Sequence, residues 1–150
     1  MNEVYKKVLE FKKKYPLTIA WRLKKHSKVI LDHLNNDEKI IYAFTGQYNG
    51  TSYEVFHSAV FVITDKRLLI GVKRSLVGYF FYSITPDMFN DLTIISGIIW
   101  GKIIIDTVKE VVTISNLDKK SLKELEDYIT KYIMEEKQKY MRMESANLKN

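Results

Sequence analysis

Basic residues near the N-terminus are the side chains of this sequence whose type and spacing point most clearly to a binding function. Residues 1–36 hold nine Lys and Arg against three acidic residues, so this segment carries the whole net charge of +6. Seven of these cations alternate with aromatic and aliphatic residues: Lys12, Lys13, Lys14, Arg22, Lys24, Lys25 and Lys28. Such a pattern is compatible with binding to an anionic membrane surface or to a nucleic-acid backbone. A solvated helix face whose apolar stripe packs on its own domain is the plain alternative.

The chain offers few residues that could support catalysis or bind a metal ion. It has no cysteine, which excludes disulfides, thiolate metal sites and cysteine nucleophiles. His26 and His33 lie two helical turns apart on one predicted helix, too far to ligate one metal, and His57 stands alone. No P-loop, Gly-x-Ser-x-Gly or dinucleotide motif is present. The sequence therefore predicts no catalytic residue, no metal and no cofactor.

A second set of cations flanks a predicted β-hairpin. Residues 59–72 hold two apolar runs of period two with Asp65 and Lys66 between them, which is typical of a hairpin that is buried on both faces. The candidate anion-binding residues of this hairpin are Lys66, Arg67, Lys73 and Arg74. Two of them lie at each end of the hairpin, so the four cannot form one compact pocket. Ordinary turn chemistry at residues 64–67 is the alternative.

The helices and strands that must position these residues are indicated by the spacing of apolar residues, which changes twice along the chain. A helical period covers residues 2–14 and 18–34, with Pro16 between them and Thr18 as the predicted cap of the second helix. From residue 38 onward, apolar residues recur at every second position. The predicted strands cover residues 40–45, 55–64, 67–73, 78–84, 89–96, 102–107 and 111–115, with a bend at residues 97–101.

A closing helix follows the last predicted strand. Asp118 or Asn116 is its predicted cap, and Leu122, Leu125 and Ile129 share one face. Seven short strands followed by one amphipathic helix favour an α+β fold in which the helix plugs one end of a bent sheet. We predict a helical extension at 1–36, a folded domain at 37–137 and a frayed tail at 138–150.

One string of the hairpin resembles a known family. Thr64-Asp-Lys-Arg-Leu-Leu69, preceded by Glu38-Lys-Ile40, is similar to the hairpin of bacterial pleckstrin-homology-like (PH-like) domains, in particular the YokE-like group. Residues 83–89 and 101–105 are also similar to that group, and the resemblance covers residues 37–135. It implies a PH-like fold, with a seven-stranded antiparallel bent sheet or barrel capped by a C-terminal helix, here with an N-terminal helical extension.

Lipid binding in the manner of eukaryotic relatives is not expected. Those relatives hold phosphoinositide headgroups with basic residues in the loop between the first two strands. Here residues 47–54 contain no Lys or Arg. A headgroup with several phosphates needs several cations or oriented amides, so we expect no phosphoinositide pocket at this loop.

The sequence favours a non-catalytic interaction module that works through protein contacts, including self-association into a homo-oligomer. The predicted interface is the aromatic run Tyr79, Phe80, Phe81 and Tyr82. The rival hypothesis is a peripheral binder of anionic membranes or nucleic acid through the basic N-terminal helices. The lack of cysteine and of a signal peptide favours the cytoplasm. The longest apolar stretch, residues 92–105, is too short and too broken to span a membrane.

Overall fold

The computed structural model describes residues 2–50 and 53–149, and the side chains of all of these except 53–56. The helices are α1 (Glu3–Lys14), α2 (Leu23–His33), α3 (Leu122–Ile129) and α4 (Glu135–Lys149). The strands are β1 (Ile40–Gly50), β2 (Tyr53–Thr64), β3 (Leu68–Lys73), β4 (Tyr79–Ile84), β5 (Phe89–Ser96), β6 (Trp100–Thr107) and β7 (Val111–Asp118). A five-residue π-helical segment, Thr130–Met134, joins α3 to α4.

The seven strands form one antiparallel sheet in the order β4-β3-β2-β1-β7-β6-β5. The sheet is not closed, so β4 and β5 are its edges. Residues from both halves of the sheet, such as Phe61 and Ile105, share one buried cluster, which requires the sheet to bend back on itself. Leu122, Leu125 and Ile129 of α3 complete this cluster. The predicted α+β fold with a bent antiparallel sheet and a capping C-terminal helix is confirmed.

The two N-terminal helices cover the opposite face of β1, β2 and β3. Val60 and Val62 alternate with the inward-facing residues of β2, and they pack with Val8 of α1 and Ile30 of α2 in a second buried cluster. Helix α2 packs directly on the backbone of β3 at Gly71. A Cβ atom at this position would come within 2.8 Å of Ile30 Cδ1, so a larger residue would force Ile30 of the helix to shift. The helical extension is therefore one layer of a three-layer arrangement.

Thr18 does not cap the second helix. Helix α2 begins four residues after the predicted start, at Leu23, because Arg22 has a left-handed backbone with φ of 59°. The Thr18 side chain is buried, and its hydroxyl accepts a hydrogen bond from the Asp118 N–H over 3.0 Å. A tertiary contact thus replaces the predicted local one.

Two other boundaries differ from the prediction. Strands β1 and β2 extend through most of the polar stretch 47–54, because a ladder pairs Gln47 with Ser58 and Gly50 with Tyr53. Residues 51 and 52, which follow β1 and precede β2 in the chain, lie outside the described residues. The tail predicted to fray at 138–150 is helical as far as Lys149, although α4 buries none of its side chains.

Candidate functional site

Arg67 belongs to a structural network and not to an anion site. Its Nε and Nη2 atoms donate to the two carboxylate oxygens of Glu38 over 2.8 and 2.9 Å. The Glu38 side chain is 0% exposed and also accepts from the Thr64 hydroxyl over 2.6 Å. Burial alone would raise the pKa of Glu38, but the hydrogen bonds from Arg67 and Thr64 outweigh it, so this pKa lies below its usual value.

The same guanidinium also joins the helical layer to the sheet. Arg67 Nη2 donates to the His33 carbonyl at the end of α2, and Nη1 donates to the Ser83 hydroxyl of β4. The neighbouring Lys66 forms an exposed ion pair with Asp37 at 2.6 Å. Lys73 and Arg74 lie at the other end of the hairpin, where the Arg74 N–H donates to the Gly78 carbonyl. The four hairpin cations therefore do not meet.

The aromatic run of β4 is largely used inside the protein. Phe80 and Tyr82 pack against the main core, and Phe81 packs against the second one. The His33 ring stacks on Phe81 with a centroid distance of 4.1 Å. Only Tyr79 is exposed. The predicted interface on β4 thus reduces to Tyr79 and the unpaired edge of the strand.

The basic N-terminal segment divides into engaged and free cations. Lys14 pairs with Glu124 of α3 at 2.7 Å, and Lys28 pairs with Asp32 at 2.5 Å. Lys12 donates to the Pro16 and Thr18 carbonyls, and Arg22 donates to the Lys73 carbonyl. Of the seven candidate cations, three are exposed and have no hydrogen-bond or ion-pair partner among the side chains described at 2–50 and 57–149: Lys13, Lys24 and Lys25. These three are available to an anionic partner.

Residues 15–22, here named the connecting segment, cross the sheet from β7 to β3. The Ile19 N–H donates to the Asn116 carbonyl over 2.9 Å, and the Trp21 N–H donates to the Ser58 hydroxyl over 3.1 Å. Thr18 and Ala20 face inward and are buried, whereas Leu17 and Trp21 face outward and are exposed. The connecting segment thus presents apolar side chains between the basic ends of α1 and α2.

The β5–β6 hairpin tip, residues 97–100, adjoins the connecting segment. The Trp100 indole N–H donates to the Leu17 carbonyl over 2.7 Å, and the Lys119 N–H donates to the Ile99 carbonyl over 3.1 Å. Ile98, Ile99 and Trp100 are all exposed. None of the segments 11–31, 92–105 and 119–123 contains an acidic residue. We name this region the apolar–basic surface: Lys13, Leu17, Trp21, Lys24, Lys25, residues 97–100, Lys102, Lys119 and Lys120.

The fold and the hairpin string agree with a family assignment. The sequence model of the bacterial PH domain family matches residues 34–131. The chain belongs to this family. The match is to the family as a whole, and the YokE-like subgroup stays a prediction. No curated protein matches this PH domain.

Two solved structures resemble this bacterial PH domain. The pleckstrin homology domain of USP37 is 12% identical with a TM-score of 0.49, and the match covers 60% of this chain and 92% of that one. The pleckstrin homology domain from Shewanella amazonensis SB2B is 14% identical with a TM-score of 0.48, and the match covers 76% of this chain and 90% of that one. Within the described part of the chain, no helix is long and apolar enough to cross a membrane.

A cleft of about 300 Å³ between α1, β1 and α3 of this PH domain was not foreseen from the sequence. Glu124 accepts hydrogen bonds from Lys14 and from the Tyr42 hydroxyl at 2.7 and 2.6 Å. Burial would raise the pKa of Glu124, but these two donors lower it overall. The charged side chains in the lining are Lys7, Lys14, Glu10 and Glu124, which balance one another. The cleft therefore has no preference for an anion, and its polar groups dock α1 onto α3.

The histidines of this PH domain do not form a metal site. The buried His26 Nδ1 accepts from the Lys73 N–H over 2.8 Å, and burial lowers the pKa of His26 to about 4. The ring is therefore neutral at physiological pH and anchors α2 to β3. His33 stacks on β4, as described above. Among the side chains that the structure describes, residues 2–50 and 57–149, no group of three His, Asp or Glu could hold a metal ion.

Proposed function

We propose that this bacterial PH domain is a non-catalytic binding module that attaches to an anionic membrane surface through its apolar–basic surface. The observation that best supports this function is the position of the unpartnered Lys13, Lys24 and Lys25 beside exposed Leu17 and Trp21, in segments without acidic residues. A basic residue near an anionic bilayer contributes about 1 kcal/mol of binding free energy. A cytoplasmic location is part of the proposal and is supported by the absence of cysteine.

A membrane fits this surface better than the other anionic partners. Tryptophan is favoured at the boundary between lipid headgroups and acyl chains, where its ring is half apolar and half polar. A nucleic-acid backbone would also attract the lysines, but it gains little from an exposed Leu17 or Trp21. A specific phosphoinositide pocket at the β1–β2 turn is not part of the proposal, because residues 47–54 contain no cation.

Charge removal on the apolar–basic surface tests this function. The triple variant Lys13→Gln, Lys24→Gln, Lys25→Gln is expected to bind vesicles of mixed phosphatidylcholine and phosphatidylserine roughly a hundredfold more weakly at low salt. The three lysines together are worth about 3 kcal/mol by the estimate above, and 1.4 kcal/mol is tenfold. Vesicle co-sedimentation of the full-length chain measures the change.

A matched control distinguishes the effect of this surface on vesicle binding from the effect of the net charge of the protein. The variant Lys109→Gln, Lys131→Gln, Lys149→Gln removes three exposed lysines elsewhere and gives the same total charge. It is expected to keep most of the wild-type affinity. Equal losses in the two triple variants would contradict the proposal. Tighter binding to duplex DNA than to vesicles at the same salt would favour nucleic acid instead.

Self-association is a second candidate function, which a separate observation favours. Helix α4 buries no side chain, although it carries Tyr140, Met141, Met143 and Leu148 in exposed positions. A second copy of the chain would remove these apolar side chains from water. The unpaired edge of β4, with Tyr79, offers a further contact for protein partners.

Sedimentation velocity over a range of concentrations tests self-association. We expect a dimer or larger species whose fraction rises with concentration, and the variant Leu148→Glu is expected to shift it toward monomer. The control Leu76→Glu changes a similarly exposed leucine in the β3–β4 turn and should leave the distribution unchanged. A monomer at the highest attainable concentration would contradict this candidate.

A further inference from the structure

We propose that the β5–β6 hairpin tip inserts into the interfacial layer of an anionic bilayer, with Ile98 and Ile99 reaching the acyl chains and Trp100 at headgroup level. This inference rests on the proposed membrane function and deepens it, because it assigns a lipid contact to residues outside the basic helices. Ile98 is 91% exposed, Ile99 is 45% exposed and Trp100 is 40% exposed.

The two isoleucines occupy an unusual position for apolar side chains. The last cross-strand pair of the hairpin is Ser96 with Gly101, and the Gly97 N–H donates to the Trp100 carbonyl over 2.8 Å. Ile98 and Ile99 are therefore the central residues of a tight turn. Such positions normally hold Gly, Asn, Asp or Ser, which satisfy the turn backbone and remain in water. Neither isoleucine contributes to the buried clusters, so folding does not explain their presence.

Two contacts attach the tip to the rest of the domain. The indole N–H of Trp100 is bonded to the Leu17 carbonyl, which fixes the tip to the connecting segment. Gly101 packs so tightly on α3 that a Cβ atom there would lie 2.4 Å from Leu122 Cδ1. The backbone of the turn thus needs little ordering when the tip leaves water, and pre-organisation of this kind favours binding.

The charges around the tip select a lipid bilayer among possible occupants. Lys102, Lys119 and Lys120 are exposed beside it, whereas the carboxylate of Asp118, which pairs with Trp100 across the sheet, is buried and accepts from the Leu17 and Lys120 N–H groups. Ile98 is 91% exposed at the end of a hairpin, so a protein partner would need a complementary apolar pocket with an acidic rim to cover it, whereas a bilayer accepts such a side chain without one. Nucleic acid would pair with the lysines but would leave the isoleucines in water. An anionic bilayer satisfies both features.

Trp100 reports directly on insertion in the full-length Trp21→Phe variant, where it is the remaining tryptophan. With vesicles of phosphatidylcholine and phosphatidylserine, we expect its emission to shift to shorter wavelength and to be quenched by lipids brominated on the acyl chain. The further double change Ile98→Ser, Ile99→Ser should weaken vesicle binding roughly tenfold or more, since an isoleucine gains that much from burial. Its residual binding should be more sensitive to salt.

The control is Val108→Ser, Val111→Ser in the same background. These valines are exposed at the β6–β7 turn, at the far end of β6 from the tip. The control should leave vesicle affinity and quenching unchanged, and thermal melting of both double variants should match the parent. Equal affinities of the two double variants, or an unquenched Trp100 on bound protein, would overturn tip insertion while leaving electrostatic binding intact. Failure of the parent to bind vesicles at low salt would overturn the proposed membrane function as well. If the isoleucine double variant lost affinity for duplex DNA as strongly as for vesicles, the isoleucines would not act through lipid, and this result would also overturn insertion.

Discussion

Replacing Arg67 by methionine is expected to lower the free energy of unfolding by about 3–5 kcal/mol, because it leaves a buried carboxylate without its cation. The Glu38 side chain is 0% exposed, and two of its hydrogen bonds come from Arg67. The same change frees the His33 carbonyl at the end of α2 and the Ser83 hydroxyl of β4. Urea unfolding followed by tryptophan fluorescence measures the loss.

Two further variants separate the buried pair from its surroundings. Lys66→Met removes the neighbouring exposed ion pair with Asp37 and is expected to change stability by less than about 1 kcal/mol. Adding Glu38→Gln to Arg67→Met should recover part of the loss, because the uncompensated charge disappears. If Arg67→Met and Lys66→Met had equal effects, the buried pair would not hold the hairpin as described.

The pH dependence of stability follows from the same pair. The pKa of Glu38 is lower in the folded protein than in the unfolded chain. Its contribution is therefore present above the unfolded pKa and is lost as the pH falls through the folded pKa. The Glu38→Gln variant should accordingly lose less stability than the wild type between neutral and acidic pH.

Removal of residues 1–36 is expected to abolish the cooperative fold. The two helices cover Val60, Val62 and Leu69 on the outer face of the sheet, and all three are 0% exposed. Returning three such side chains to water costs about 5–9 kcal/mol in total, which is comparable to the stability of a whole domain. Circular dichroism melting and binding of a hydrophobic dye to the chain 37–150 measure this effect.

Removal of the other end of the chain is the matched control. Deletion of residues 135–150 takes away α4, which buries no side chain, and should leave the melting of the remainder nearly unchanged. A cooperative melt of the chain 37–150 at the wild-type temperature would show that the helices are dispensable. Because we expect the opposite, the basic residues of α1 and α2 are better tested by substitution than by truncation.

The sheet could be predicted from the sequence because its signals are local. Residues 59–72 alternate with period two, and Leu122, Leu125 and Ile129 repeat at helical spacing, so neither pattern needs knowledge of a distant residue. Capping by Asp118 is local in the same way, and its carboxylate accepts from the Lys120 N–H. The helix that it starts is a short 3₁₀ turn, Lys119–Ser121, ahead of α3.

The features that escaped prediction depend on partners far away in the chain. Arg67 looked like a solvated turn residue, because Glu38 lies 29 residues earlier and no spacing rule joins the two. Thr18 looked like a helix cap, because its true partner is Asp118. The sequence predicts a bend between two glycines at the β5–β6 tip, and its isoleucines stand out only when their exposure is known.

The hydrogen bonds of the connecting segment have a consequence for synthesis on the ribosome. The Asp118 N–H bonds to Thr18, and the Leu17 N–H bonds to the Asp118 carboxylate, across 100 and 101 residues of sequence. The connecting segment therefore cannot reach its final place until the seventh strand has been made, about 5–20 s later at ordinary translation rates. During that interval the N–H groups of Leu17 and Ile19 lack their native acceptors on Asp118 and Asn116, so the connecting segment orders on the sheet late in synthesis.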